Sequence, residues 1–379
     1  MDINEVYNII IWVDGILFSL ILCAVCYFFI FAIFSFKKQK INFKKTKKQY
    51  HFLIIFTSRE IDDTIYKSLK SFYDQDFPDV NYDIAVVSKH ISEAAEREYK
   101  DSPVILIKRP KEEHYRCQVL DYALKQIDKE YDIIVIMKEG NTTDRNFLDE
   151  INKAFHSGGM AIQTHYVRKN ILSNTAILNA LSEEINNSIF RRGHVNLGFS
   201  SGLIGSGMAF NYRWFKENIG KVEKNGLTKQ LEILLLKQGI FIEYLENLYT
   251  YDERDHSQTE NTSQRQHWYS AKFSSLIKVI GDLPKAFIVG NFDYCDKIIQ
   301  WIIPSKFFLL FVILIFAFGL IFFDWILSIK WFGLLFFIML VIDLTIPQKF
   351  QNWRTFFALF SLPILTILNF FYIFRKDRR

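Results

Sequence analysis

Four cysteines in 379 residues are too few for a disulfide framework, and Cys23 and Cys26 sit inside an apolar run, where they read as small buried hydrophobes. Histidine is also sparse. His51, His90, His114, His165 and His194 show no metal-ligand spacing, and His256 and His267 flank Glu260 only on a loop-like stretch, so a zinc site is not expected. The net charge is only +5, and no basic face with interleaved aromatics is present, so nucleic acid is not an expected partner. Internal repeats and low-complexity tracts are missing as well, which excludes a repeat array.

What the chain has is apolar surface. Half of its residues are apolar and 17% are aromatic, and the excess lies at the two ends. Between them is a polar block of about 250 residues, enough for one sizeable domain. Ile9 to Phe36 is long enough to cross a bilayer, since about 20 residues span the ~30 Å hydrocarbon core. A secretory signal is the competing reading and is not expected, given the length of the run, the lack of a small-residue cleavage site and the side on which the charge lies. Asp14 interrupts the run, either marking the outer interface or pairing with another membrane residue. Seven lysines between Lys37 and Lys48 follow the run, which suits an anionic membrane surface. By the positive-inside rule the N-terminus lies outside and the polar block in the cytoplasm.

Phe307 to Phe323 and Trp331 to Ile346 are the expected crossings at the other end, joined around Asp324. Thr355 to Phe374 is broken by Pro363 and Asn369, and the basic residues on both sides of it oppose a third crossing there. The expected organisation is a transmembrane helix at 1–36, a basic linker at 37–50, a cytoplasmic α/β domain at 51–282 and an interfacial helix at 283–305. Two transmembrane helices follow at 306–346, then an interfacial or re-entrant helix with a basic C-terminus at 347–379.

The block alternates strands and helices. His51 to Phe56, Tyr82 to Val87, Val104 to Ile107, Ile133 to Met137, Ala161 to His165, Gly207 to Phe210 and Ile240 to Glu246 read as strands. Asp62 to Tyr73, Tyr115 to Ile127, Asp144 to Phe155, Asn174 to Phe190 and Leu227 to Lys237 carry helical patterns. Such alternation predicts a mainly parallel sheet. The apolar run Ile133 to Met137 reads as a strand buried on both faces, and it stops abruptly at Lys138-Glu139-Gly140-Asn141. Ligands of open α/β sheets bind beyond the carboxyl ends of the strands, so this turn is where chemistry is expected.

Several ordered segments resemble one family. They are SLKSFYDQDFPDVNYDIAVVS, LDYAL at 120–124, NFLDEINKAF, SEEINNSIFRRGH, SSGLIGSGMAF, LEILLLKQGIFIEYLENLYTYDE and QRQHW at 264–268. Together they look like membrane-bound bacterial glycosyltransferases of family 2, processive-synthase-like, with a GT-A nucleotide-sugar domain. The resemblance covers about residues 50 to 300 and extends to the flanking helices. It implies a donor diphosphate held through Mg²⁺ or Mn²⁺ by a D-x-D pair, a general base from an E-D pair, an acidic residue at the nucleobase and a Q-x-x-R-W motif.

The chain departs from that pattern at nearly every charged position. Lys138-Glu139-Gly140 stands at D-x-D, Lys89 at the nucleobase residue, Leu227-Thr228 at E-D, and Cys117 where a glycine precedes LDYAL. The motif Q-x-x-R-W retains Gln264 and Trp268 but has His267 for the arginine. Thr228 is no base at its ordinary acidity, and Glu232, one turn further on, is the substitute to consider. Gly198, Gly202, Gly205 and Gly207 read as a structural turn, with a phosphate cradle as the alternative. Gly205, Ser206 and Gly207 join Gln264, His267 and Trp268 at the family's acceptor and diphosphate positions. The donor positions are Lys89, Arg116, Lys138, Glu139 and Gly140, and no metal is expected.

Losing one electrostatic stabiliser costs about 3 kcal/mol of barrier, and losing the base a further ~10²–10⁴ in rate. The expected protein is therefore a catalytically degenerate partner or regulator of an active glycosyltransferase, or of another polysaccharide-assembly protein, in the bacterial inner membrane. The alternative is an active inverting transferase with a metal-independent site using Lys138, Glu139 or Glu232, and His267, in which Lys138 neutralises phosphate with help from Arg116 or Arg265. A third reading is a binding module for nucleotide or lipid-linked glycan.

Overall fold

The computed structural model describes residues 3–37, 43–99, 102–110, 115–223, 226–254 and 272–359. Its centre is an eight-stranded sheet: β1 Phe52–Glu60, β2 Tyr82–His90, β3 Val104–Lys108, β4 Ile133–Lys138, β5 Asn141–Thr143, β6 Ala161–Arg168, β7 Met208–Asn211 and β8 Ile242–Asp252. The spatial order is β3-β2-β1-β4-β7-β6-β8-β5. β3, β2, β1 and β4 run parallel, as do β6 and β8. β7 is antiparallel to β4 and to β6, and β5 is antiparallel to β8.

The uninterrupted apolar strands are central because both of their faces are covered. Successive side chains point to opposite faces. Leu53, Ile55, Ile134 and Ile136 pack on one side against α4 (Arg116–Gln126), α7 (Tyr212–Ile219) and α8 (Leu227–Lys237). Phe52, Ile54, Phe56, Ile133, Val135 and Met137 pack on the other against α2 (Asp63–Tyr73) and α5 (Phe147–His156). Ile134 and Val135 have no exposed surface, so truncating either to alanine is expected to cost about 2–4 kcal/mol. Asp62 caps α2 by accepting from the backbone N–H of Thr64 and Ile65.

Several elements differ from the expected ones. The last strand runs on to Asp252, because its second half pairs with β6 beyond a bulge at Thr164/His165 and with β5. β5 was not expected; three residues carry no period that could announce it. α3 (Glu93–Glu98) was also unforeseen. α6 (Asn174–Asn186) ends earlier than its periodicity suggests and passes into a π-helical turn, Asn187–Gly193. That turn seats α1 (Ile3–Phe34), since a Cβ at Gly193 would press on the carbonyl of Phe31.

Among the described residues two helices are long and apolar enough to cross a membrane: Tyr7–Phe34 within α1, and Trp325–Thr345. A third candidate is a bent pair, Phe292–Ile302 followed by Lys306–Phe322, with a 48° bend. The span expected from Phe307 is therefore a short helix, Lys306–Gly319, with a 3₁₀ extension, and the next begins at Trp325 rather than Trp331. The single interfacial helix expected at 283–305 is two helices, Leu283–Val289 and Phe292–Ile302, broken at Gly290 (φ 81°). Of the final expected helix only Trp353–Leu359 lies within the described residues. Asp14 does pair: it accepts from Trp331 Nε1 at 2.8 Å and forms an ion pair with Lys330.

Candidate functional site

The parallel register sets Thr57 of β1 beside Lys138 of β4, at the carboxyl ends of two central strands. Arg116, the first residue of α4, reaches over this edge. Its Nε donates to Thr57 Oγ1 at 3.0 Å, its Nη2 to the carbonyl of Met137 at 2.9 Å, and its Nη1 to the carbonyl of Gly205. The Lys138 N–H donates to Ser206 Oγ at 3.1 Å, and the Ser206 hydroxyl donates to Asn141 Oδ1. The 203–207 loop is thereby pinned across the end of β4.

Gly205 is where the parts meet. At φ 94°, a Cβ built on it would lie 3.3 Å from Arg116 Nη1, 3.4 Å from Thr228 Cγ2 and 3.7 Å from Lys138 Nζ. The expected donor-site residues Arg116 and Lys138 and the base-position Thr228 thus converge on one loop.

Beside them, Arg254 lies between two carboxylates. Its Nη1 is 3.2 Å from Glu139 Oε1 and its Nε is 3.4 Å from Asp252 Oδ1. Ser58 donates its hydroxyl to the other oxygen of Glu139, and Tyr166 donates to Asp252 Oδ2. Gly140 (φ 74°) makes this possible, because a Cβ there would overlap the Cγ of Arg254. Glu139 and Asp252 are the carboxylates at hand for a divalent cation, and the guanidinium holds them both. Among the described residues no group of three or more His, Cys, Asp or Glu side chains could hold a metal. The residues present therefore do not fit the divalent cation that the family resemblance implies.

The electrostatics are lopsided. Among the described residues no carboxylate lies within ion-pair distance of Arg116 or Lys138. Burial, then Arg116 and Arg254, hold the Lys138 ammonium down to about 7 from a lysine's ordinary 10.5, while Asp252 pulls the other way. Arg116 is lowered to about 9, by burial first and Arg254 second, and stays protonated at neutral pH. Two cations are partly withdrawn from water without a counter-ion, an arrangement that is costly unless an anion completes it.

Other expected site residues lie elsewhere. Lys89 is near the end of β2, two strands from β4. Glu232 is fully buried, accepting from the Leu203 N–H at 2.7 Å and pairing with Lys229 at 3.0 Å, so it does not face a reacting group. Gly207 serves packing, since a Cβ there would overlap the hydroxyls of Thr164 and Thr250. Cys117 is buried against the carbonyl of Glu223. Gln264, His267 and Trp268, with Arg265, lie outside the described residues.

Sequence reasoning missed Thr57, Ser58, Tyr166, Asp252 and Arg254. The sequence signal for the last two is the acidic end of LEILLLKQGIFIEYLENLYTYDE with the arginine that follows it, and nothing in that stretch ties it to Lys138-Glu139-Gly140. The connection is made by the pairing of Asn141 with Asp252 and by the Glu253 N–H donating to the carbonyl of Gly140 at 3.0 Å.

No protein-family model and no curated protein sequence matches the chain. Solved structures do. A structure of TarS residues 1–349 from S. aureus aligns over 84% of this chain and 91% of its own length, at 10% identity and a TM-score of 0.45, too distant to support any argument. PcManGT, a mannosyltransferase from Pyrobaculum calidifontis solved with GDP-Man and Mn²⁺, aligns over 96% of this chain and 99% of its own. The TM-score is 0.56 at 13% identity, so the α/β fold of this chain is similar, along nearly its whole length, to that of a glycosyltransferase.

Proposed function

We propose that the chain is a membrane-anchored protein with a GT-A domain of the family 2 type that no longer turns over a donor. Its role in this reading is that of a partner or regulator of an active glycosyltransferase in surface-polysaccharide synthesis. The observation that carries the proposal is Arg254 seated between Glu139 and Asp252, where a divalent cation would need those carboxylates. Thr228 at the base position and the buried Lys229–Glu232 pair add to it, because no free carboxylate is left on that helix to take an acceptor proton. In PcManGT, by contrast, Mn²⁺ and GDP-Man are bound. The intact core explains why such a domain persists as a scaffold: the packing residues of β1 and β4 are unimpaired.

The same proposal assigns α1, the bent pair and Trp325–Thr345 to membrane crossings in a bacterial inner membrane, with the sheet on the cytoplasmic side. The seven lysines after α1 support that orientation. The test is sugar transfer by the purified full-length chain from UDP- and GDP-sugars, with and without Mn²⁺. The expected result is no turnover, together with capture of an active glycosyltransferase from the native membrane. The unpaired ammonium of Lys138 favours one rival, a metal-independent transferase. Transfer that disappears in Lys138→Ala would establish that rival and refute the proposal.

A further inference from the structure

We infer that Lys138 and Arg116, with Arg254 as a built-in cation, form a metal-independent site for a phosphoryl anion. The inference builds on reading this sheet end as a donor-like site, and it asks a different question, binding rather than turnover.

Three observations carry it. First, the internal ion pairs are complete without Lys138 and Arg116. Arg254 is matched by Glu139 and Asp252, whereas Arg116 spends its donors on two carbonyls and a hydroxyl, which leave its charge uncancelled. Second, the Nζ of Lys138 makes no hydrogen bond or ion pair among the described residues, and the residue keeps part of its surface exposed. Third, the glycine that would be the second carboxylate of D-x-D is the residue that admits Arg254. Loss of one metal ligand and entry of a fixed cation are thus one arrangement. The lowered ammonium of Lys138 is what uncompensated burial beside Arg116 and Arg254 produces. An anion placed there would cancel that repulsion.

The chemistry that fits is phosphoryl. Lysine binds phosphate as a point charge, and the backbone turn at Gly205 lets a ligand approach without meeting a Cβ. α4 starts at Arg116, with no side-chain cap from Tyr115, so its positive end also favours an anion. A carboxylate ligand is disfavoured because a singly charged group gains less from two cations. Two sources share this chemistry, a soluble diphosphate such as that of a nucleotide and the phosphate of a lipid headgroup.

The experiment is calorimetric titration of the full-length chain in neutral detergent with inorganic pyrophosphate, UDP and GDP, all in excess chelator. It is repeated in micelles doped with phosphatidic acid. Binding in chelator is expected, weakened at least about tenfold in Lys138→Met and retained in Lys138→Arg, with thermal midpoints confirming that both variants fold. Competition by phosphatidic acid would assign the lipid headgroup; its absence would assign the soluble diphosphate. No binding by any probe, binding only with Mn²⁺ or Mg²⁺, or equal binding by Lys138→Met would each overturn the inference. None of these results depends on whether sugar is transferred, so the two proposals fail separately.

Discussion

Lys138 and Lys229 are both depressed by burial, and they differ in what surrounds them. Lys229 is 7% exposed, lies 3.0 and 3.1 Å from the two oxygens of Glu232 and sits 5.5 Å from the ring of Trp301. Burial lowers it and Glu232 works against that lowering. Lys138 is more open, has positive neighbours, and no carboxylate of the described residues pairs with it. The first is a closed structural pair inside a domain core. The second is an incomplete electrostatic arrangement at a strand end, where folds of this class bind ligands. Burial alone therefore does not separate structure from function here; the presence or absence of a matched counter-charge does.

The largest test of that contrast is on the closed pair. Glu232→Ala leaves Lys229 buried without its carboxylate and orphans the Leu203 N–H. Breaking a buried pair in this way costs about 3–5 kcal/mol. A thermal melt in detergent should show a large drop in midpoint, and the double variant Glu232→Leu/Lys229→Met should recover much of it. A negligible drop would mean that the pair is not structural, and the comparison would lose one side.

A second test addresses the fixed cation. Gly140→Ala forces a side chain into a positive-φ conformation and into the stem of Arg254. The backbone part alone is worth about 1–2 kcal/mol, and the overlap adds to it. Combining it with Arg254→Gly removes only the overlap. A double-mutant cycle should therefore return a coupling of about 1 kcal/mol or more between residues 140 and 254. Strict additivity would show that Arg254 does not occupy the space above Gly140.

The fold was more legible than the site. Ile133 to Met137 declared a doubly covered strand because nothing in it can face water, and the structure buries every one of those residues. Lys138 stood out because an ammonium follows that run where the family resemblance implies a carboxylate. Arg254 did not stand out, since it is 115 residues from Glu139 and reaches it only through the β5–β8 pairing. A three-residue strand carries too little pattern to foretell such a juxtaposition. Glu232 looked available for chemistry because helical spacing shows which side chains share a face, not that a neighbouring lysine and the Leu203 N–H use up the carboxylate. The antiparallel β7 was hidden for a related reason: four residues beside a glycine turn fit either direction.

The smallest effect is expected at Lys138 itself, and its sign is the informative part. Lys138→Met replaces an uncompensated cation by an apolar chain of similar length, so the variant should be as stable as the parent or about 1–2 kcal/mol more stable. That is the opposite of Glu232→Ala. The pH dependence follows from the same charge. The folded ammonium titrates near 7 and the unfolded one near 10.5, so between those values the unfolded chain binds more protons and stability rises with pH. Below about 7 both states are protonated and the penalty is fully present. The slope contributed by one such group is at most about 1.4 kcal/mol per pH unit. Melts of parent and Lys138→Met from pH 7 to about 9 should therefore converge as pH rises, with the variant ahead at the lower end. A variant that is less stable than the parent at pH 7 would mean that Lys138 has a structural partner, as Lys229 does, and the distinction between the two lysines would collapse.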